Sequence, residues 1–304
     1  MRRHEPTLRL LRRLRWTVRR PLATYLGGDE RSLVRGAGVE LAEMREYQPG
    51  DDVRLIDWNT SARGDRVYVR EAFVERGLDV FFVVDVSGSV DWGTAACLKR
   101  DRALEAVGLV GDLLIHQGNR VGALFFANKP LDALPPTTGQ NALLRLLDRV
   151  KHQPRQAPSG PTDLTAALER VGALARRRSL VIVVSDFLAA DGWETPMKRL
   201  AVRHEVAAVR VVDPRDGEIP DVGVVTFEDP ETGAQLVVDT GDAKLRERFR
   251  EAALAKDTVL AATLRRSGVP LLRLSTDADV VPALVAFLRE QRRPAAGRSS
   301  GPVA

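Results

Sequence analysis

Apolar positions in this chain follow two patterns, short runs and stripes at three- and four-residue spacing. The runs DVFFVVD (79–85), RVGALFFAN (120–128), LVIVVSDF (180–187), EVAAVRVVD (205–213) and VPLLRLS (269–275) predict strands. Val80 to Val84 shows no polar alternation, the habit of a strand covered on both faces in a parallel sheet. Helical segments are predicted between the strands: about 95–117, 140–151, 162–176, near 193–203, about 242–267 and about 280–291. This alternation predicts an α/β fold, a mostly parallel sheet with helices on both faces. One segment breaks the rhythm: VGVVTFEDPETGAQLVVDT (222–240) reads as two short strands around a turn, a hairpin inserted before the long helix. Ahead of the sheet, RVYVREAFVE (66–75) is β-rich, whereas 36–64 has little periodicity and much Gly, Asp and Arg. The predicted organisation is a basic arm (1–35), a small β-rich extension (36–78), a main domain (79–290) and a tail (291–304) with the composition of disorder.

Charge refines this picture. The chain of 304 residues carries a formal +5, but residues 1–35 hold ten arginines against Glu5, Asp29 and Glu30, leaving the remainder near −2. The basicity belongs to the arm, and nucleic acid is not implied as a partner for the body. Within the arm, Leu8, Leu11, Leu14, Val18 and Leu22 form a helical stripe opposite arginines. Such a helix suits weak attachment to an anionic membrane surface or a partner, and equally suits packing on its own domain. One cysteine, Cys97, excludes an internal disulfide framework and suits a reducing compartment. No apolar stretch approaches the ~20 residues that span a bilayer, and the paired arginines near the start lack the apolar core of an export signal. The expected location is cytoplasmic, with the inner membrane as a peripheral site.

Three predicted loops, all expected at one edge of the sheet, carry oxygen side chains. The first is Asp85-x-Ser87-x-Ser89, where the run Val80–Val84 ends. The second is SGPTDLTAAL, in which Thr162 opens a helix after a Gly-Pro turn, and the third contains Asp186 after an apolar strand. Ligand sites in such sheets lie outside the carboxyl ends of the strands. Hydroxyls and carboxylates without imidazole or thiolate suit a hard cation, Mg²⁺ or Mn²⁺. Two carboxylates would only just balance such an ion, leaving it able to accept a water or an external carboxylate. Taken singly, each piece also has an ordinary explanation: a polar turn, a helix N-cap, a loop cap. The four scattered histidines have no metal-ligand spacing.

In order, these pieces resemble the metal-ion-dependent adhesion site (MIDAS) of von Willebrand factor A domains. The stretch EYQPGDDVRLIDWNTSAR (46–63) is similar to the hallmark of the bacterial "domain of unknown function 58" family, through Gly50-Asp51, Arg54, Ile56-Asp57-Trp58 and Ala62-Arg63. Val90 stands where such motifs often carry methionine; it offers no oxygen, so coordination is unaffected. The resemblance implies a Rossmann-like, von Willebrand A-type fold with Asp85, Ser87, Ser89, Thr162 and Asp186 as metal ligands. It also implies a regulatory or scaffold role beside a MoxR-type AAA+ ATPase. Asp51, Asp52, Arg54, Asp57 and Arg63 read as a structural charge network, with Trp58 as its apolar anchor.

Several catalytic signatures are absent or misplaced. No phosphate-binding glycine loop follows a strand. VSGSV lacks the nucleophile-elbow spacing. VDTGD (238–242) is a lone Asp-Thr-Gly that reads as a helix cap, and Cys97 reads as part of the apolar face of the long helix. The functional expectation is a divalent-metal-dependent protein-interaction or scaffold module, not an enzyme, with a partner Asp or Glu completing the metal shell. The partner is expected to be a MoxR-type ATPase or its substrate. The alternatives are a metal-dependent hydrolase, for which no general base is evident, and a metal-free scaffold.

Overall fold

The computed structural model describes residues 42–48, 53, 56, 58–63, 66–72, 77–153 and 160–292. The main domain is a six-stranded sheet built from β3 (Asp79–Asp85), β4 (Arg120–Phe126), β5 (Pro130–Thr137), β6 (Leu180–Ser185), β7 (Glu205–Val212) and β10 (Leu271–Ser275). Their order is β10-β7-β6-β3-β4-β5. All neighbours are parallel except β4 and β5. From β3 the chain winds outward through β4 and β5, then returns to lay β6, β7 and β10 on the other side. Strand order therefore reverses between β3 and β6, and in such sheets ligand sites lie outside the carboxyl ends of the strands at that reversal.

The unbroken apolar run of β3 is explained by two cores. Val80, Phe82 and Val84 join the core beneath α2 (Lys99–His116), α3 (Gln140–Lys151) and α7 (Val280–Arg292). Phe81 and Val83 join the opposite core beneath α4 (Leu164–Leu174), α5 (Glu194–Arg203) and α6 (Ala243–Arg266). Each fully buried Val or Phe contributes roughly 1.5–3 kcal/mol, so the strand holds both helical layers. Helix α3 shows the pattern from the other side: Leu143, Leu146, Leu147 and Val150, on one helical face, are all buried.

Strand β5 is absent from the sequence reading. Its sequence PLDALPPT carries three prolines, which edge strands tolerate because one side of their backbone needs no ladder partner. Its pairing with β4 shifts register twice, and at Gly122 an added Cβ would lie 2.5 Å from the Leu134 carbonyl oxygen. The inserted hairpin is present as β8 (Val224–Glu228) and β9 (Gln235–Asp239), antiparallel to each other and separate from the main sheet. Asp242 caps α6 by accepting from the Lys244 and Leu245 amides, so VDTGD does close the hairpin and start the helix. Helix α2 begins at Lys99, so Cys97 precedes it; half-buried, its Sγ lies 3.6 Å from the Thr276 carbonyl oxygen.

Of the extension, β1 (Ala42–Glu46) and β2 (Tyr68–Ala72) pair antiparallel, with a short helical turn, α1 (Trp58–Ser61), between them. Ser61 accepts from the Tyr68 amide at 2.9 Å, which ties that turn to β2. Trp58, expected as an apolar anchor, is instead 68% exposed. Arg63 is also exposed. Asp51, Asp52, Arg54 and Asp57 lie outside the described residues, as do the basic arm and the end of the tail. Among the described residues no helix is long and apolar enough to cross a membrane.

Candidate functional site

The three oxygen-bearing loops leave the sheet at its carboxyl edge, around the reversal between β3 and β6. Backbone bonds fasten them to one another. The Val86 amide donates to Phe126, the Asp163 amide to Ala127, and the Ala190 amide to Thr162. Asp85, Ser87, Ser89, Thr162 and Asp186 are all buried. Asp85 ends β3 and accepts from the Ser87 amide at 2.9 Å and from the Ser185 hydroxyl at 2.6 Å. The Ser87 and Ser89 hydroxyls lie 3.1 Å apart. Asp186 accepts from the Leu188 amide at 3.1 Å.

Thr162 is not the helix cap that its position suggests. Asp163 caps α4, accepting from the Ala166 amide at 2.9 Å. The Thr162 hydroxyl is thereby released from capping and donates elsewhere, to the Glu231 carboxylate at 2.6 Å. After Asp186 the chain enters Phe187 with φ of 58°, unusual for a bulky residue. Ser185 accepts from the Phe187 amide, and the Phe187 ring packs edge-on against Trp193 at 5.8 Å. These contacts hold the strained turn that sets Asp186 beside Asp85. Strain of this kind costs roughly 1–3 kcal/mol and clusters at functional sites.

The electrostatics are unusual for a structural turn. Burial, and then the neighbouring Asp186 carboxylate, push the Asp85 carboxyl up from its ordinary range to about 7, against the pull of hydrogen bonds from Ser185 and Ser87. Lys99, only 1% exposed, lies 3.2 Å from Asp186 and 2.8 Å from Asp216, with its ammonium 5.3 Å from the Trp92 ring centre. Burial alone would lower its pKa, but the Asp186 and Asp216 carboxylates outweigh burial and hold it above the ordinary value.

Lys99, Asp216, Ser185 and Glu231 were not legible in the sequence as parts of this site. Lys99 cancels one carboxylate and Asp216 supplies another, so with every carboxylate ionised Asp85, Asp186, Asp216 and Lys99 carry a formal −2. The balance expected of Asp85 and Asp186 alone is thus reached by a larger set.

The donors fit a hard divalent ion. Each carboxylate oxygen has a second lone pair beyond its hydrogen bond, and a hydroxyl that donates keeps its own lone pairs. Among the described residues no group of three or more His, Cys, Asp or Glu side chains is placed to hold a metal. An ion here would therefore depend on the hydroxyls of Ser87, Ser89 and Thr162, in keeping with oxygen-only coordination.

A second polar cluster braces the same edge. Asp213, after β7, accepts from the Thr94 amide and hydroxyl, the Arg215 amide and the Thr276 hydroxyl. Burial by itself would raise this carboxyl, but those hydrogen bonds hold it at about 2.

Comparison with known proteins places the chain among relatives that are themselves uncharacterized. The uncharacterized protein Rv1480 of Mycobacterium tuberculosis is 41% identical over 284 residues, covering 93% of this chain and 89% of that protein. Similar solved structures include the conserved hypothetical protein BatB from Bacteroides thetaiotaomicron, at 18% identity and TM-score 0.44, covering 70% of this chain and 98% of that one. They also include the SpRpn10 VWA domain, at 15% identity and TM-score 0.41, covering 75% and 99%. A family model described as "Protein of unknown function DUF58" matches residues 43–259, more than half of the chain. With that match and a relative of near-equal extent, this chain belongs to the DUF58 family.

Proposed function

We propose that this protein is a divalent-metal-dependent protein-interaction module whose site is the oxygen cluster at the β3/β6 reversal. The supporting observation is the burial of two neighbouring carboxylates among three hydroxyls at the carboxyl edge of the sheet. Asp85 in particular is held where ionising is costly without a nearby cation. Asp85, Ser87, Ser89, Thr162 and Asp186 would hold Mg²⁺ or Mn²⁺. The bound ion would supply a Lewis-acidic point for an acidic side chain of a partner protein. The family resemblance points to a MoxR-type AAA+ ATPase or its substrate as that partner.

Calorimetry tests the metal: wild type is expected to bind Mg²⁺ or Mn²⁺, and Asp85→Ala to lose most of that binding. Equal affinity in the two proteins overturns the proposal. Pull-down with and without EDTA, read by mass spectrometry, then tests the partner; proteins retained equally in both would not be metal-dependent partners.

A further inference from the structure

The tip of the β8–β9 hairpin lies on the candidate site. Glu231, in the turn of the hairpin, accepts from the Thr162 hydroxyl at 2.6 Å through one carboxylate oxygen and from the Thr162 amide at 2.9 Å through the other. Its own carbonyl oxygen accepts from the Gly160 amide at 3.1 Å. Beside it, the Pro230 carbonyl oxygen sits where a Cβ on Gly88 would come within 2.5 Å, between Ser87 and Ser89 in the first loop. The tip thus touches the loops of Thr162 and Asp85 at once.

Local bonds stiffen the tip. Asp229 accepts from the Glu231 amide at 2.9 Å and from the Thr232 hydroxyl at 2.6 Å. The strands behind it pair only with each other, and an isolated two-stranded ribbon is marginally stable in water. Its base is held by Thr240, which accepts from the Val222 amide and donates to the Gly223 carbonyl. A stiff tip on a thin ribbon can leave its seat without unfolding the sheet.

We propose that Glu231 is a built-in carboxylate that occupies the acidic-ligand position of this site, so that an acidic partner binds only by displacing the hairpin. This rests on the metal-dependent reading above and adds its regulation. With every carboxylate ionised, Asp85, Asp186, Asp216 and Lys99 sum to a formal −2, which a divalent ion balances, and a docked Glu231 brings the cluster to −3. A second carboxylate arriving from outside meets that surplus, so the two carboxylates compete for one place. Thr162 gives Glu231 both of its polar donors, so the hairpin tip is bonded directly to one of the three hydroxyls of the site.

The test uses the full chain, Mn²⁺, and N-acetylglutamate as the external carboxylate. Wild type, Glu231→Ala and Asp229→Ala are each titrated with Mn²⁺ by calorimetry. N-acetylglutamate is then added to the Mn²⁺-loaded proteins while water-proton relaxation is followed. Hydrogen exchange at the Gly160 and Thr162 amides reports the seat of the hairpin. Glu231→Ala is expected to bind N-acetylglutamate at least tenfold more tightly than wild type and to exchange both amides at least tenfold faster. Asp229→Ala, which keeps Glu231 but loosens the turn, is expected to shift both readouts in the same direction by less.

If all three proteins bind Mn²⁺ and respond to N-acetylglutamate equally, the intrinsic carboxylate is overturned and the metal reading stands. If wild type fails to bind Mn²⁺, the metal reading falls and this proposal falls with it.

Discussion

Replacing Asp85 by asparagine is expected to stabilise the metal-free protein while removing its affinity for the ion. In the folded chain this carboxyl is raised from 3.8 to about 7, first by burial and then by Asp186. The folded state therefore keeps a proton that the unfolded state has already released. Stability must fall as pH rises from about 4 to about 7, and stay level above that. About three units at 1.36 kcal/mol each set a ceiling near 4 kcal/mol on the cost of ionised Asp85.

Asparagine avoids that cost but offers one carbonyl oxygen where the carboxylate uses two, one for the Ser87 amide and one for the Ser185 hydroxyl. Losing one such hydrogen bond costs about 1 kcal/mol. The balance is a gain of roughly 2–3 kcal/mol at pH 8, or about 5–10 °C in Tm for a domain of this size. Urea and thermal melts in EDTA at pH 8 and pH 4.5 measure it, and the difference between the two proteins should shrink at the lower pH. Equal stability at pH 8, with no difference in pH slope, would refute the buried-charge reasoning. A variant that is more stable yet no longer binds Mn²⁺ would show a site residue retained at the expense of stability.

Lys99→Met should destabilise by about 3–5 kcal/mol, because it leaves Asp186 and Asp216 facing each other without their shared cation; a chemical melt within 1 kcal/mol of wild type would contradict this. Asp213, held at about 2, contributes stability that is present above about pH 4 and lost as pH falls toward 2. An acid titration should accordingly show Asp213→Ala less stable than wild type at pH 6, with the two converging near pH 2. Gly122→Ala should disturb the β4–β5 edge through the 2.5 Å approach to Leu134, lowering Tm without altering Mn²⁺ affinity in calorimetry. For the basic arm, co-sedimentation should show the full chain pelleting with anionic vesicles more than a chain starting at Gly36; equal pelleting removes the membrane contact.

What the sequence determined by itself was local. Unbroken apolar runs announced strands covered on both faces, three-and-four spacing announced α3, and DPETG between two short runs announced the hairpin. The clustering of Asp85, Ser87, Ser89 and Asp186 at one edge of the sheet was legible because a polar loop at a strand's carboxyl end is marked by the apolar strand that precedes it. Strand β5 was not, since its prolines argue against any strand until an exposed edge is available to hold them. Thr162 reads in sequence as an ordinary helix cap, because only the folded chain separates the cap, Asp163, from the hydroxyl beside it. Lys99 lies far along the chain from Asp186, Asp216 from Lys99 and Glu231 from Thr162, and nothing in their neighbouring residues distinguishes them from solvated charges. Their placement was decided by tertiary structure: strand order brought the loops after β3 and β6 together, and burial turned Lys99 into a counter-ion. A thin hairpin placed Glu231 on Thr162, because charge acts through space and periodicity records only the face on which a residue lies.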